Sequence, residues 1–389
     1  MPVEQVGRRP VGYIVDSYPE LSETFVALEV AELRRQDQPV EVVAIARGNG
    51  PASDEPVLRL SSYRGRSRLA AAHLRRALRN PSRYARFLRR VRLTEGSVPW
   101  RVLPALADDL AARRVSWVHA HFALEAADTA FVLAALLDVP WSFTAHAWDI
   151  FVARRRLPLK LARADRVVTV CDYNRAWIEK HYGANPNLRI VVCGVELPPR
   201  TPRRPTVDVV AVGRLVPKKG FDVLIRAVAH LAPTMPRLRV EIVGDGPERE
   251  RLQALMAELG VNDHVTLCGE LAHDVALARI ESSRLLCIPA RVAPDGDRDS
   301  MPVVGKEAMA REVPVVASAV AAIPEMIDDS VGRLVPPDDP AALAGALREV
   351  LASPELAASL GRAGRARVAE RFLLRDEVRK LRSTFEELR

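Results

Sequence analysis

Short apolar runs, each closed by a turn and followed by a stretch of helical periodicity, recur along this chain in two series. A stiff polar run, Pro198-Pro199-Arg200-Thr201-Pro202-Arg203-Arg204-Pro205, separates the two. This alternation is the strongest constraint on the fold, because strands that alternate with helices build parallel sheets wound on both faces. The first series holds Val11–Asp16, a helix at about 25–36, then Val40–Ala46, Val115–Ala120, Trp141–Thr144, Asp165–Val170 and Arg189–Cys193. The second holds Val207–Val212, Arg239–Val243, Val265–Cys268, Leu285–Ile288, Pro314–Ala317 and Gly332–Val335, with helices at about 221–231, 340–352, 354–370 and 374–388. The proline-rich run reads as an extended linker. At 389 residues two cores are expected rather than one. Ligands of open α/β sheets bind beyond the C-terminal strand ends, so a cleft between two such sheets is the expected site.

Composition narrows the function. The net charge of +8 comes from 57 basic and 49 acidic residues, and only six of the basic ones are lysines. A basic balance suits nucleic acid or an anionic surface. No aromatic RNA-binding motif and no zinc spacing accompanies it, so no nucleic-acid partner is expected. Cys171, Cys193, Cys268 and Cys287 form no C-x-x-C pair and read as buried free thiols of a reducing compartment. Residues 1–10 are polar, so no signal peptide is read, and no run of about 18 uncharged apolar residues predicts a membrane span. The expectation is a cytoplasmic protein, with the inner membrane face as one place of work.

That face enters through residues 64–93. Arg64, Arg66, Arg68, Arg75, Arg76, Arg79, Arg83, Arg86, Arg89, Arg90 and Arg92 interleave with Leu69, Leu74, Leu78, Tyr84, Phe87, Leu88 and Val91. The pattern is two basic amphipathic helices broken at Asn80-Pro81. Such a pair can rest on an anionic membrane, or it can turn its apolar face onto its own domain.

Three places carry chemistry. The stretch Asp299-Ser300-Met301-Pro302-Val303-Val304-Gly305-Lys306-Glu307 places Ser300 as an N-cap and starts a helix at about Pro302. A helix start offers free N–H groups and a positive dipole end, which suits phosphate. Glu307 leans back over that start and suits a ribose diol, while Asp299 suits a second set of hydroxyls. Arg214 and Lys219 follow Val207–Val212 in Gly213-Arg214-Leu215-Val216-Pro217-Lys218-Lys219-Gly220, where Arg can fork onto phosphate oxygens and Lys adds a mobile charge. Gly213 there admits a ligand to the backbone, and Gly220 frees the turn. His121 and His146 both fall just past strand ends. Neither domain's first loop carries the full G-x-G-x-x-G of a dinucleotide site.

The order Gly213-Arg214-Leu215-x-x-x-Lys219-Gly220, Gly244-Asp245-Gly246-Pro247, Asp299-x7-Glu307 and Ile323-Pro324-Glu325 resembles the retaining glycosyltransferases of family 4. Phe143-Thr144-Ala145-His146-Ala147-x-Asp149-Ile150 and Ser22-Glu23-Thr24-Phe25 are similar to a subgroup that makes exopolysaccharides of the colanic-acid type. The resemblance runs from about residue 11 to 371. It implies a GT-B fold: an acceptor-binding Rossmann-like domain at 1–198, a nucleotide-sugar domain at 199–371, and a C-terminal helix, about 372–389, packed back on the first. It implies that Arg214 and Lys219 grip the donor diphosphate, that Asp299 takes the place of the carboxylate on the sugar, and that Glu307 binds the ribose. Gly213, Gly244 and the backbone of Met301, Pro302, Val303 and Val304 complete the donor side. His146 lies near the reacting face of the sugar, and Ser22, Glu23, Thr24, His121 and Asp149 belong to the acceptor side. Asp299 stands where many relatives have Glu, and Ala321-Ala322 where Gly-Gly is frequent.

The implied co-substrate is a UDP- or GDP-sugar, with no resident cofactor and no metal. The implied reaction moves a hexosyl group to a glycan or lipid-linked acceptor with retention. Two other readings share the features: a nucleotide-sugar epimerase on the same fold, and a non-catalytic nucleotide- or glycan-binding protein.

Overall fold

The computed structural model describes residues 8–20, 23–50, 56–95 and 98–386. It divides into two compact units: Met1–Val170 with Arg175–Val191 and Val378–Arg389, and Cys171–Asn174 with Val192–Glu377.

The first unit is built on seven parallel strands: β1 (Val11–Tyr18), β2 (Val40–Arg47), β3 (Val57–Arg59), β4 (Trp117–His121), β5 (Trp141–Ala145), β6 (Arg166–Thr169) and β7 (Leu188–Ile190). Their order is β3-β2-β1-β4-β5-β6-β7. The strands read as near-continuous apolar runs because both faces are covered. The helix Glu125–Leu137 is apolar all round and buried along nearly its whole length, as it lies between the sheet and the helix Pro81–Leu93. Phe385, from the C-terminal helix Leu374–Glu386, packs its ring on Trp117 and His119.

The second unit has six parallel strands: β8 (Val207–Val212), β9 (Val240–Val243), β10 (Val265–Gly269), β11 (Ser283–Ile288), β12 (Val315–Ser318) and β13 (Gly332–Val335), in the order β10-β9-β8-β11-β12-β13. The helix Phe221–Leu231 shows why its sequence folds this way. Phe221, Leu224, Ile225, Val228 and Leu231 recur every three or four residues and are all buried, against Leu343 and Leu347 of the helix Pro340–Ala352. In both sheets the order reverses once, between β1 and β4 and between β8 and β11. Loops leaving adjacent strands diverge there, which opens a crevice at the C-terminal edge.

The short edge strand β3 and the helix Leu103–Ala112 add to the expected pattern; three residues are too few for a period to register. The basic segment forms two helices, Arg66–Arg79 and Pro81–Leu93, and Asn80 Oδ1 caps the second by accepting the N–H of Arg83. Ala72 and Phe87 face inward, and Arg75, Arg76, Arg83 and Arg86 pair with Asp108 and Asp138. Leu74, Leu78, Leu88 and Leu93 remain exposed. All four cysteines are free thiols, but only Cys171 and Cys287 are buried; Cys193 and Cys268 are half-buried. Among the described residues no helix is long and apolar enough to cross a membrane.

Candidate active site

In the second unit the loops after β8 and β11 emerge side by side because their strands are hydrogen-bonded neighbours. That adjacency brings together residues 80 apart in sequence: Lys219 Nζ lies 2.5 Å from Asp299 Oδ2. Lys218 adds to the cluster, 3.1 Å from Asp297 and 3.4 Å from Asp299. Burial alone would push the Asp299 carboxyl up, but Lys219 and Lys218 hold it below the usual carboxylate range. Arg214 is exposed at the mouth of the same loop.

The glycines here answer to backbone contacts. Gly220 takes a left-handed φ of 64°, and a Cβ on it would lie 1.9 Å from the Pro289 carbonyl oxygen. Gly244 sits with its Cα against the Gly213 carbonyl, where a Cβ would meet oxygen at 2.0 Å. Lys219 runs its side chain over Gly213, which fills the space that the sequence reading left for a ligand. Gly213 and Gly244 thus shape the loop that carries Lys219.

The predicted phosphate helix spans Val303–Ala310. Its N-cap is Pro302, not Ser300, and no side chain caps it. Ser300 is drawn aside because its hydroxyl donates to Asn174 Oδ1 at 2.7 Å. Met301 and Pro302 are buried, and Pro302 brings no N–H, so the donors at this helix start come from Val303 and Val304. Glu307 does face back from one turn along, and its Oε1 is 2.7 Å from His273 Nε2. That hydrogen bond raises the His273 pKa. His273 begins the helix His273–Glu281, and no motif marks it; only its place after β10 brings it here. Glu325 of Ile323-Pro324-Glu325 accepts the backbone N–H groups of Asp172 and Tyr173. Ala321 adopts φ 49°, the left-handed region that favours Gly, at a cost of roughly 1–2 kcal/mol.

In the first unit the edge beyond β4 and β5 gathers aromatic rings. His146 packs against His121 and Phe122, both at 4.7 Å between centroids, and against Phe25 at 5.4 Å. Phe122 holds a left-handed φ of 75°. The loop around it is strapped from below: Lys160 Nζ donates to the carbonyls of Ala123, Leu124 and Arg155. Asp149 is wholly buried, and its two oxygens accept the N–H groups of Ala123 and His146. Burial pushes its carboxyl up to about 7. This corrects the acceptor-side assignment of Asp149, which has no surface or free oxygen to offer and instead holds two loops together. His121 is also buried, with both ring nitrogens engaged by Tyr13 and His146, so it too supports rather than contacts. Glu23 and Thr24 stand at the start of the helix Thr24–Arg35 and are half-buried; Ser22 lies outside the described residues. Tyr13, Phe25 and Glu29 went unmarked as site residues because the sequence shows them only as strand and helix positions.

Residues 22–198 match the Glycosyltransferase Family 4 model, and residues 199–367 match that of Glycosyl transferases group 1. The chain is 33% identical, over 236 residues, to the GDP-mannose-dependent alpha-(1-6)-phosphatidylinositol monomannoside mannosyltransferase of Mycolicibacterium smegmatis, covering 56% of this chain and 61% of that protein. It is 30% identical over 190 residues to Escherichia coli WcaL, a glycosyltransferase named for colanic acid biosynthesis, covering 47% of this chain and 46% of that one. The chain thus spans about half to three fifths of the length of these curated relatives. The structure of sucrose-phosphate synthase from Thermosynechococcus elongatus has the same fold, with a TM-score of 0.73 over 98% of this chain and 99% of that one, at 21% identity. With adjoining family models matched from residue 22 to residue 367 on two doubly wound parallel sheets, the chain belongs to the family 4, group 1 glycosyl transferases of GT-B fold.

Proposed function

We propose that this chain transfers a hexosyl group from a nucleoside diphosphate sugar to a glycan or lipid-linked acceptor, with retention of configuration, in the assembly of a cell-surface or exported polysaccharide. The observation that carries the proposal is the cluster on the second unit, where Lys219 and Asp299 meet at the reversal point of the sheet, beside Arg214 and the helix opening at Val303. Departure of a nucleoside diphosphate leaves negative charge on the β-phosphate. Arg214, Lys219 and the N–H groups of Val303 and Val304 are donors set in advance for that charge. Lys219 exchanges part of its bond to Asp299 for phosphate, and Asp299 becomes an acceptor for sugar hydroxyls. Glu307, oriented by His273, takes the ribose diol. His146 is read as a sugar-facing residue on the strength of its match to the family motif.

The names of the relatives point to GDP-mannose as the donor to test first, with UDP-sugars as the second set. The experiment is product analysis with each donor, with and without a mannosylated lipid or soluble mannoside acceptor. Release of the nucleoside diphosphate together with an α-linked product, only when acceptor is present, is the expected result. An epimerised sugar formed without acceptor supports the epimerase reading instead. Binding of the nucleotide with no turnover under either condition supports a binding protein.

A membrane-borne acceptor fits the outward face of residues 64–93. Leu74 and Leu78, four residues apart, are 60% and 72% exposed, and Arg66, Arg68, Arg79, Arg89 and Arg92 are exposed on the same two helices. Inserted leucines flanked by arginines suit an anionic surface, each basic residue adding about 1 kcal/mol near it. Vesicles with anionic lipid are expected to sediment the protein and neutral vesicles to leave it in solution. The double variant Leu74→Ser/Leu78→Ser is expected to lower binding roughly tenfold, from two lost apolar contacts. Equal sedimentation of variant and native protein removes this surface from consideration.

A further inference from the structure

Behind His146 the first unit holds an unbroken series of hydrogen bonds. His146 Nε2 lies 2.8 Å from His121 Nε2. His121 Nδ1 lies 2.6 Å from the Tyr13 hydroxyl oxygen. The Tyr13 hydroxyl in turn contacts Glu29 Oε1. Tyr13 is fully buried, and Glu29 and His121 are buried beside it, so water does not compete at the Glu29–Tyr13–His121 end, while His146 is half-buried.

The direction of every bond follows from the Glu29 end. A carboxylate oxygen accepts, so the single Tyr13 proton is assigned to Glu29 Oε1. The Tyr13 oxygen must then accept from His121, which places the proton of that ring on Nδ1. A neutral His121 with Nδ1–H leaves Nε2 bare, and His146 must donate to it from Nε2–H. At the other end, Asp149 Oδ1 accepts the backbone N–H of His146 at 2.7 Å, which fixes where the ring starts.

From this geometry we propose that Tyr13 and Glu29 are positioning residues that act through His121 to hold His146 as one neutral tautomer in one orientation. The proposal rests on the reading of His146 as a sugar-facing residue. With Nε2 committed inward to His121, His146 serves the reaction as a fixed ring wall. The neighbouring His119 does not join in: its nitrogens are 2.8 Å from Ser142 Oγ and 3.1 Å from Thr144 Oγ1, and burial keeps it neutral. Glu29, His119 and His121 do lie close enough together for a cation. Every ring nitrogen of the group already has a partner, however, which favours a relay over a metal cage. The ionisable groups facing His146 and His121 are Tyr13 from β1, Glu29 from the helix Thr24–Arg35, His119 from β4 and Asp149 after β5.

The test is nitrogen-15 NMR of the histidine rings in the whole protein, native and as Tyr13→Phe and Glu29→Gln, together with steady-state kinetics. The native spectrum is expected to show His146 as Nε2–H and His121 as Nδ1–H, both slow to exchange with solvent. In Tyr13→Phe, with a ring of equal size in place, His121 is expected to lose its fixed tautomer and His146 to become a mixture. Glu29→Gln, which can donate as well as accept, is expected to give the same mixture more weakly. Turnover in Tyr13→Phe is expected to fall about tenfold, the scale of one charge-assisted hydrogen bond, with the donor KM within about twofold. A mixed or Nδ1–H His146 in the native protein overturns the proposal, as does an unchanged spectrum in Tyr13→Phe. An altered spectrum with unchanged turnover also overturns it, because the relay then positions nothing. The spectra are taken without substrate, so a failure to find transfer activity is distinguished from a failure of the relay.

Discussion

Lys219→Ala is expected to abolish the stabilisation of the protein by nucleoside diphosphates and to lower turnover by about 10²–10³-fold. That range is typical for the loss of one donor aimed at charge that develops in the transition state. The measurement is a thermal shift with GDP, UDP, TDP and ADP at about 100 times the dissociation constant, where one site contributes about 2.7 kcal/mol. One base should stabilise the native protein, and none should stabilise the variant. The substitution also has a folding cost, which must be separated from binding. Asp299 is buried beside Lys219, and removing the ammonium leaves its charge with Lys218 alone at 3.4 Å. In the native protein the Asp299 pKa is lowered, so the pair contributes stability above the unfolded carboxylate value, and this is lost as pH falls through the lower folded value. Lys219→Ala should shrink that acid dependence. The double variant Lys219→Ala/Asp299→Asn should recover melting temperature without recovering the nucleotide response. A full response to nucleotide in Lys219→Ala would mean that the phosphate site lies elsewhere.

Lys306→Met is expected to make the protein more stable. Lys306 is wholly buried in the helix Val303–Ala310, and its Nζ has no hydrogen-bond partner among the described residues. The nearest ring is Phe372, with its centroid 5.9 Å away. Burial lowers the pKa of the amine, opposed only in part by Cys193, Cys171 and Glu377. An amine without a partner in an apolar setting costs free energy that a methionine of similar length does not. Replacing buried ionic groups with apolar ones gains about 1–4 kcal/mol in comparable cases, and a domain of 150–250 residues gains about 2–4 °C for each of these. The pH dependence has a definite sign. Between the lowered folded pKa and the ordinary lysine value of 10.5 the unfolded chain binds the extra proton, so native stability rises with pH across that window and is level below it. The methionine variant should lack the slope. A lower melting temperature in Lys306→Met, with the slope intact, would show that Lys306 has a partner that matters to the fold.

How far the chain can be read in advance differs from element to element. β8 and β13 match their expected bounds, since the valine-rich run Val207–Val212 is closed by Gly213 and the short run Gly332–Val335 is closed by Pro336. The break at Asn80-Pro81 was equally legible, since proline cannot continue a helix but can open one. The Pro302 helix was legible in type but not in its cap. Ser300 has the chemistry of an N-cap, and Asn174, 126 residues away, takes its hydroxyl instead. Asp149 was misread for a related reason: a carboxylate in a motif next to a strand end looks available until its burial and its two backbone donors are known.

Local pattern alone thus determined the two series of strands and helices, the parallel sense of the sheets and the loop that carries Arg214 and Lys219. All of these follow from steric and hydrophobic preferences within a few residues. Tertiary structure alone decided the partnerships: Lys219 with Asp299, His273 with Glu307, and His146 with His121, Tyr13 and Glu29. Side-chain periodicity tells which face of a strand or helix is buried, but not which strand lies beside it. The neighbours are set by the strand order, β1 beside β4 and β8 beside β11. That order places loops from distant parts of the chain side by side, where short polar side chains can meet.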